Sequence, residues 1–193
     1  QKAKVKLEEG DDTAMMVFYN TRLARCWERS KESTRYDQLQ ARAEDYRLGT
    51  VPMGGLVLTA AVDTQAYRLE MKVVAWGEGM ECWVVDYHVI HSPPELDKTW
   101  AELDELLKGR YRHVSGASMT ISATFVDSGG SATQDVYNFT ASRKWRNVYA
   151  VKGHPRPNRP ILSGKPTIVD VDWRGRTVKQ GAMLWLIGTD TGK

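Results

Sequence analysis

Leu56-Val57-Leu58-Thr59-Ala60-Ala61-Val62-Asp63 and Ile121-Ser122-Ala123-Thr124-Phe125-Val126-Asp127-Ser128-Gly129-Gly130 are the two stretches on which the fold turns. Each is an apolar, strand-like run that ends on an aspartate, where the chain opens into a turn. Met singly, such an aspartate is an ordinary turn former. Two of them on adjoining strands are a different matter, because neighbouring carboxylates repel and one takes up a proton unless a cation neutralises the pair.

Working outward, Arg68 to Gly77 and Glu81 to Ile90 are further strand-like runs, so Leu56 to Ile90 reads as an antiparallel three-strand meander. Gly77-Glu78-Gly79 supplies the positive φ of a tight turn between the second and third strands. Ser92-Pro93-Pro94 then opens a helix, with Ser92 as N-cap, Leu96, Trp100, Leu103, Leu106 and Leu107 on one face, and Gly109 as the stop. Met119 to Val126 is a fourth strand, about Ala132 to Lys144 a second helix with Val136, Tyr137 and Thr140 inward, and Asn147 to Lys152 a fifth strand. Thr167 to Trp173 and Thr177 to Ile187 pair about Arg174-Gly175 and lead to Gly188-Thr189-Asp190. Three meandering strands, helix, strand, helix, strand is the order of an RNase H-like α/β domain: a mixed sheet, antiparallel meander plus parallel strands, with helices packed on it. In that layout the first and fourth strands are parallel neighbours, so Asp63 and Asp127 emerge together in a crevice. Residues 1–52, polar and helical from Thr13 to about Arg47 with a break near Ser30 to Arg35, read as an arm or linker ahead of a domain over 53–193.

With 41% hydrophobic residues in a chain of 193, one principal domain is expected. Cys26 and Cys82 belong to no CxxC or Cys/His cluster, which argues against a zinc site or disulfide framework. No apolar run is long enough for a membrane span, and Gln1 to Glu9 lacks the core of a secretory signal, so the chain reads as soluble and intracellular. Its start on Gln1 and its end at Lys193, three residues past Asp190, read as a fragment of a longer polypeptide. The formal charge of +3 says less than its placement. Arg143, Lys144, Arg146, Lys152, Arg156, Arg159 and Lys165 follow one another with no Asp or Glu between, whereas Glu95 to Glu105 is strongly acidic.

Hard carboxylate oxygens suit Mg²⁺ or Mn²⁺, and two such ions about 4 Å apart activate a water and stabilise the leaving oxygen in phosphodiester hydrolysis. Asp63 and Asp127 are the candidate catalytic and metal-holding residues, Asp190 is the leading third carboxylate, and Glu70, Glu81 and Asp86 are its substitutes. Gly129 and Gly130 let a phosphate backbone come close, and Lys152, His154, Arg156 and Arg159 suit contacts that position duplex DNA without reading its sequence. His88, His91, His113 and His154 show no metal-ligand spacing; Trp27, Trp76, Trp83, Trp100 and Trp185 read as packing residues; Ser128 has no triad partners.

Val51-Pro52, Leu58-Thr59-Ala60-Ala61-Val62-Asp63-Thr64-Gln65, Arg68-Leu69-Glu70, Trp76-Gly77, Asp127-Ser128-Gly129-Gly130, Val136-Tyr137, Lys152-Gly153 and Gly188-Thr189-Asp190-Thr191 occur in an order that resembles the large terminase subunit of lambda-type tailed bacteriophages. Phe18-Tyr19-Asn20-Thr21 resembles that family's connection between motor and nuclease. The resemblance implies an endonuclease that cuts concatemeric duplex DNA in the host cytoplasm during packaging, using two Mg²⁺ or Mn²⁺ ions. It places the acidic positions on Asp63, Asp127 and Asp190, followed by a helix not included here. It also implies an N-terminal ATPase domain, a small terminase subunit and a portal or procapsid as partners. No GxxxxGK[ST] loop occurs, so ATP hydrolysis is not expected of this stretch. Two other readings stay open at this point: a nucleotide-binding lobe of the actin or sugar-kinase type, and a catalytically silent DNA or capsid docking module.

Overall fold

Buried and open positions alternate along strand after strand, and that period of two builds one sheet with one face for the core. The computed structural model describes residues 13–23, 36–162 and 164–191, apart from the side chains of 173 and 180. Cys26, Trp27, the break at Ser30 to Arg35 and Lys193 lie outside the described residues. Two compact units are present, Gln1–Asp45 and Tyr46–Lys193. In the first, α1 (Thr13–Arg22) and α2 (Tyr36–Ala41) are helical and bury no residue.

The second unit runs β1 (Thr50–Val51), β2 (Val57–Thr64), β3 (Leu69–Trp76), β4 (Cys82–Ile90), α3 (Asp97–Leu107), β5 (Arg110–His113), β6 (Ser118–Asp127), α4 (Thr133–Ala141), β7 (Val148–His154), β8 (Thr167–Trp173) and β9 (Arg176–Gly188). Sheet neighbours are β4-β3-β2-β6-β7-β9-β8, with β5 on β6 and β1 on β5. The meander β2-β3-β4 is antiparallel, and β2, β6, β7 and β9 are mutually parallel. This is the expected α/β architecture, a mixed sheet with helices packed on it. Leu58, Ala60, Val62, Met71, Val73, Ala75 and Val126 form the core together with Trp100, Leu103 and Leu107 of α3 and Val136 and Phe139 of α4. Parallel β2, β6, β7 and β9 therefore deliver four carboxyl ends to one edge of the sheet.

Two local expectations are corrected. The first long helix starts at Asp97 rather than at Pro93. Ser92 is buried, and the Thr99 hydroxyl lies 2.7 Å from both its Oγ and the Pro93 carbonyl, while Trp100 Nε1 donates to the Pro94 carbonyl at 2.6 Å. Side chains of the first helical turn thus occupy the proline carbonyls, and Pro94 itself disfavours helical geometry at Pro93. Leu96, expected inward, is exposed at the N-cap, and Thr99 and Asp104 are buried instead. The second correction is β5, a strand not anticipated in Arg110-Tyr111-Arg112-His113, where inward Tyr111 and His113 alternate with outward Arg110 and Arg112. The Gly77-Glu78-Gly79 connection does use a positive φ, at Gly79 (61°) and also at Met80 (67°).

Candidate active site at the carboxyl ends of β2 and β6

Val62 of β2 and Val126 of β6 are parallel partners, and each is followed by its aspartate. Adjoining strands lie about 4.8 Å apart, so the two backbones leave the sheet side by side. Because Val62 and Val126 face the core, the period of two turns Asp63 and Asp127 to the opposite face. There both line one cavity of about 450 Å³, together with Glu70, Lys72, Tyr87, Phe125, Val151 and Ile187.

Glu70 reaches this cavity through hairpin register, as the residue directly opposite Asp63 on β3. The Gln65 amide ties the two carboxylates together, with Nε2 donating to Asp63 Oδ2 at 2.7 Å and to Glu70 Oε1 at 3.2 Å. Arg68 Nε donates to Glu70 Oε1 at 2.6 Å, and the Tyr87 hydroxyl donates to Glu70 Oε2 at 2.6 Å. These donors stabilise the charged form, so Glu70 titrates below the ordinary carboxylate range, Tyr87 contributing most and Arg68 next. The same bond raises the Tyr87 phenol. Asp127 Oδ1 accepts the Gly129 N–H at 2.9 Å. A Cβ at Gly129 would stand 3.2 Å from that oxygen, closer than ordinary contact, so glycine leaves the carboxylate its room.

The other candidates fall elsewhere. Asp127 pairs with Val151 and Val151 with Trp185, five positions before Asp190, and β9 lies two strands from β6, roughly 10 Å sideways. Asp190 is exposed in the turn after β9 and does not line the cavity. Glu81 precedes Cys82, which pairs with Trp76, itself opposite Val57, so it lies at the far end of β2 from Asp63. Asp86 pairs with core-facing Val73 and so occupies the helix-covered face, 2.9 Å from His88 Nε2. Burial, and after it the charge of Asp86, push the Tyr111 phenol up to about 12. Ser128 is buried and donates to the Val151 carbonyl at 2.8 Å, a structural bond rather than a nucleophile's.

Lys152 and His154 are at the carboxyl end of β7 and so share the sheet edge with the two aspartates. The Arg156 N–H reaches His154 Nδ1 at 3.1 Å, and the Thr191 hydroxyl donates to the Arg159 carbonyl at 2.5 Å. A Cβ at Gly188 would strike the Arg159 carbonyl oxygen at 2.2 Å, so only glycine lets the turn bearing Asp190 pack on the basic loop. Gly130 sits against the end of β2, its Cβ position 3.5 Å from the Thr64 carbonyl oxygen.

Among the described residues no three His, Cys, Asp or Glu side chains form a complete metal cluster. The donor set still suits hard divalent cations: carboxylates of Asp63, Asp127 and Glu70 line one cavity, and an amide N–H₂ rather than a cation bridges two of them. Sequence reasoning gave no role to Gln65, Arg68, Lys72 or Tyr87. Hairpin counting was the available signal: a turn closing on Thr64 and Leu69 puts Glu70 opposite Asp63 and keeps Lys72 on the same face.

A mixed sheet with carboxylates gathered at the ends of adjoining parallel strands has the build of a nuclease domain. The family model for the terminase large subunit gpA endonuclease domain matches residues 1–193, and the chain belongs to that family. The terminase large subunit of Escherichia phage lambda is 32% identical over 186 residues, 96% of this chain and 28% of the relative. That of Enterobacteria phage P21 is 32% identical over 184 residues, 95% of this chain and 27% of the relative. The chain thus spans little more than a quarter of the length of these curated relatives. No solved structure matches it. Family membership sets aside the nucleotide-binding lobe. No helix among the described residues is long and apolar enough to cross a membrane.

Proposed function

We propose that this chain is the metal-dependent endonuclease domain of a viral packaging terminase, hydrolysing phosphodiesters of concatemeric duplex DNA at the Asp63–Asp127 cavity. One observation carries the reading: two aspartates end adjoining parallel strands and line the same cavity. Mg²⁺ or Mn²⁺ ions, two in number, would supply Lewis acidity and charge neutralisation there. Asp63 and Asp127 would hold them, and Glu70 is better placed than Asp190 to be the third carboxylate, since it already lines the cavity in ionised form. Gln65 acts as the gate between Asp63 and Glu70, because its amide must turn before both carboxylates can share a cation.

The remaining groups position the substrate. Lys72 brings a positive charge into the cavity. Lys152, His154, Arg156 and Arg159 lie along the same edge and suit phosphate contacts on a duplex, with Gly129 and Gly130 leaving its backbone room. Residues 1–52 serve as the arm toward an ATPase domain, and the small terminase subunit and the portal or procapsid are the partners in the host cytoplasm. Supercoiled-plasmid nicking in Mg²⁺ and in Mn²⁺ tests the proposal. Asp63→Asn should bring nicking to background with an unchanged far-UV spectrum and Tm. Parent-rate cutting by that variant would falsify the assignment, and no cutting by the parent under any divalent ion would favour a docking module.

A further inference from the structure

Arg143 to Arg146, the first part of the basic stretch, takes no part in the carboxylate cavity. It leads through a 3₁₀ turn, Lys144–Arg146, into the amino end of β7. Val148 pairs with Thr124, three positions before Asp127, so this corner begins roughly 10 Å back along the sheet from the aspartates. Two cavities of about 500 and 420 Å³ flank it and share Lys108, Trp145 and Arg146.

Trp145 is 78% exposed, so its indole is not a packing residue, and the Arg146 guanidinium stands 5.9 Å from its ring. The cations around it are fixed in place. Arg143 Nε and Arg146 Nη1 donate to one oxygen of Asp104 at 2.6 and 2.8 Å, and Lys108 Nζ is 2.8 Å from the other. Each guanidinium carries five N–H donors, so both keep donors beyond these bonds. With Lys144, four cations here stand against Asp104 and Glu105. The surplus favours an anion, and the open indole favours a flat ring.

We propose that this corner binds single-stranded DNA, with an unstacked base on Trp145 and backbone phosphates on Arg143, Arg146 and Lys108. The proposal rests on the DNA-cutting reading for its ligand class. A duplex buries its base faces and would leave the indole unused, whereas single strands are held by cations combined with aromatic platforms. A Glu- and Leu-rich peptide would match the cations but carries no flat ring for the indole, and with Leu107 and Val148 buried in the core only half-buried Ile121 offers it an aliphatic contact beside the Thr120 and Ser122 hydroxyls.

The test is fluorescence anisotropy in EDTA, using the full chain, a labelled oligothymidylate of about 12 nucleotides and a duplex of the same length. Trp145→Ala should weaken oligothymidylate binding about tenfold while Trp145→Phe keeps most of it, and duplex binding should change little. Plasmid nicking measured alongside should be the same for Trp145→Ala and the parent. Three results would overturn the proposal: Trp145→Ala binding oligothymidylate like the parent, both DNAs weakening equally, or a Glu- and Leu-rich peptide alone being the ligand that the variant loses. Absence of nicking by the parent would instead sink the nuclease reading.

Discussion

Asp104 and the Asp63–Glu70 pair put the same functional group to opposite uses within one domain. Asp104 is a buried residue of α3 with Arg143, Arg146 and Lys108 around it. Burial works against its charge, yet hydrogen bonds from Arg143, Lys108 and Arg146 outweigh that and hold the carboxyl well below its usual range. It ties α3 to the segment that enters β7, some forty residues away in sequence. Asp63 instead has a neutral amide as its partner, and Glu70 shares that amide, so with Asp127 the three cavity carboxylates carry more negative charge than Arg68 and Lys72 balance. A carboxylate enclosed by its own cations is committed to the fold; carboxylates left short of positive charge keep an appetite for a divalent ion.

That contrast can be broken in order of effect. Asp104→Ala should cost about 3 kcal/mol of stability by leaving guanidinium charge half-buried and unpaired, a Tm drop of about 6 to 12 °C in calorimetry. Because the folded pKa of Asp104 is depressed, its contribution is complete above the unfolded value of 3.8 and fades as pH falls toward the folded one. The parent should therefore lose stability below about pH 4 more steeply than the variant. An Asp104→Ala protein as stable as the parent would mean the three cations are solvated rather than held. Tyr87→Phe is the smaller perturbation: nicking should fall about tenfold, the low end for a partner that orients a metal-holding carboxylate. Losing the largest cause of Glu70's lowered pKa lets that pKa rise, so the acid limb of the pH–rate profile should move to higher pH. An unshifted limb would remove Glu70 from the site.

The parallel pairing of β2 with β6 and the shared crevice of Asp63 and Asp127 were legible because the succession of strand-like and helix-like runs matches an RNase H-like layout, and alternation marks the strands themselves. Tyr111 and His113 were missed as a strand because four residues, two of them arginines, give too short a period to see, and only pairing with β1 and β6 makes them one. The helix start was misplaced because a serine before two prolines has the local signature of a cap, while tertiary contacts of Thr99 and Trp100 decide otherwise. At the site, Gln65 and Tyr87 depend on register across two hairpins, and Asp190 on how far a turn carries it past the last strand, which motif order alone does not contain.

Anomalous scattering from crystals soaked in Mn²⁺ bears most directly on the central claim. The account expects manganese peaks inside the cavity, bonded to both Asp63 and Asp127 and within reach of Glu70, with Gln65 turned away. Peaks confined to the Asp190 turn or to other acidic surface residues, in crystals of protein that nicks DNA, would contradict it.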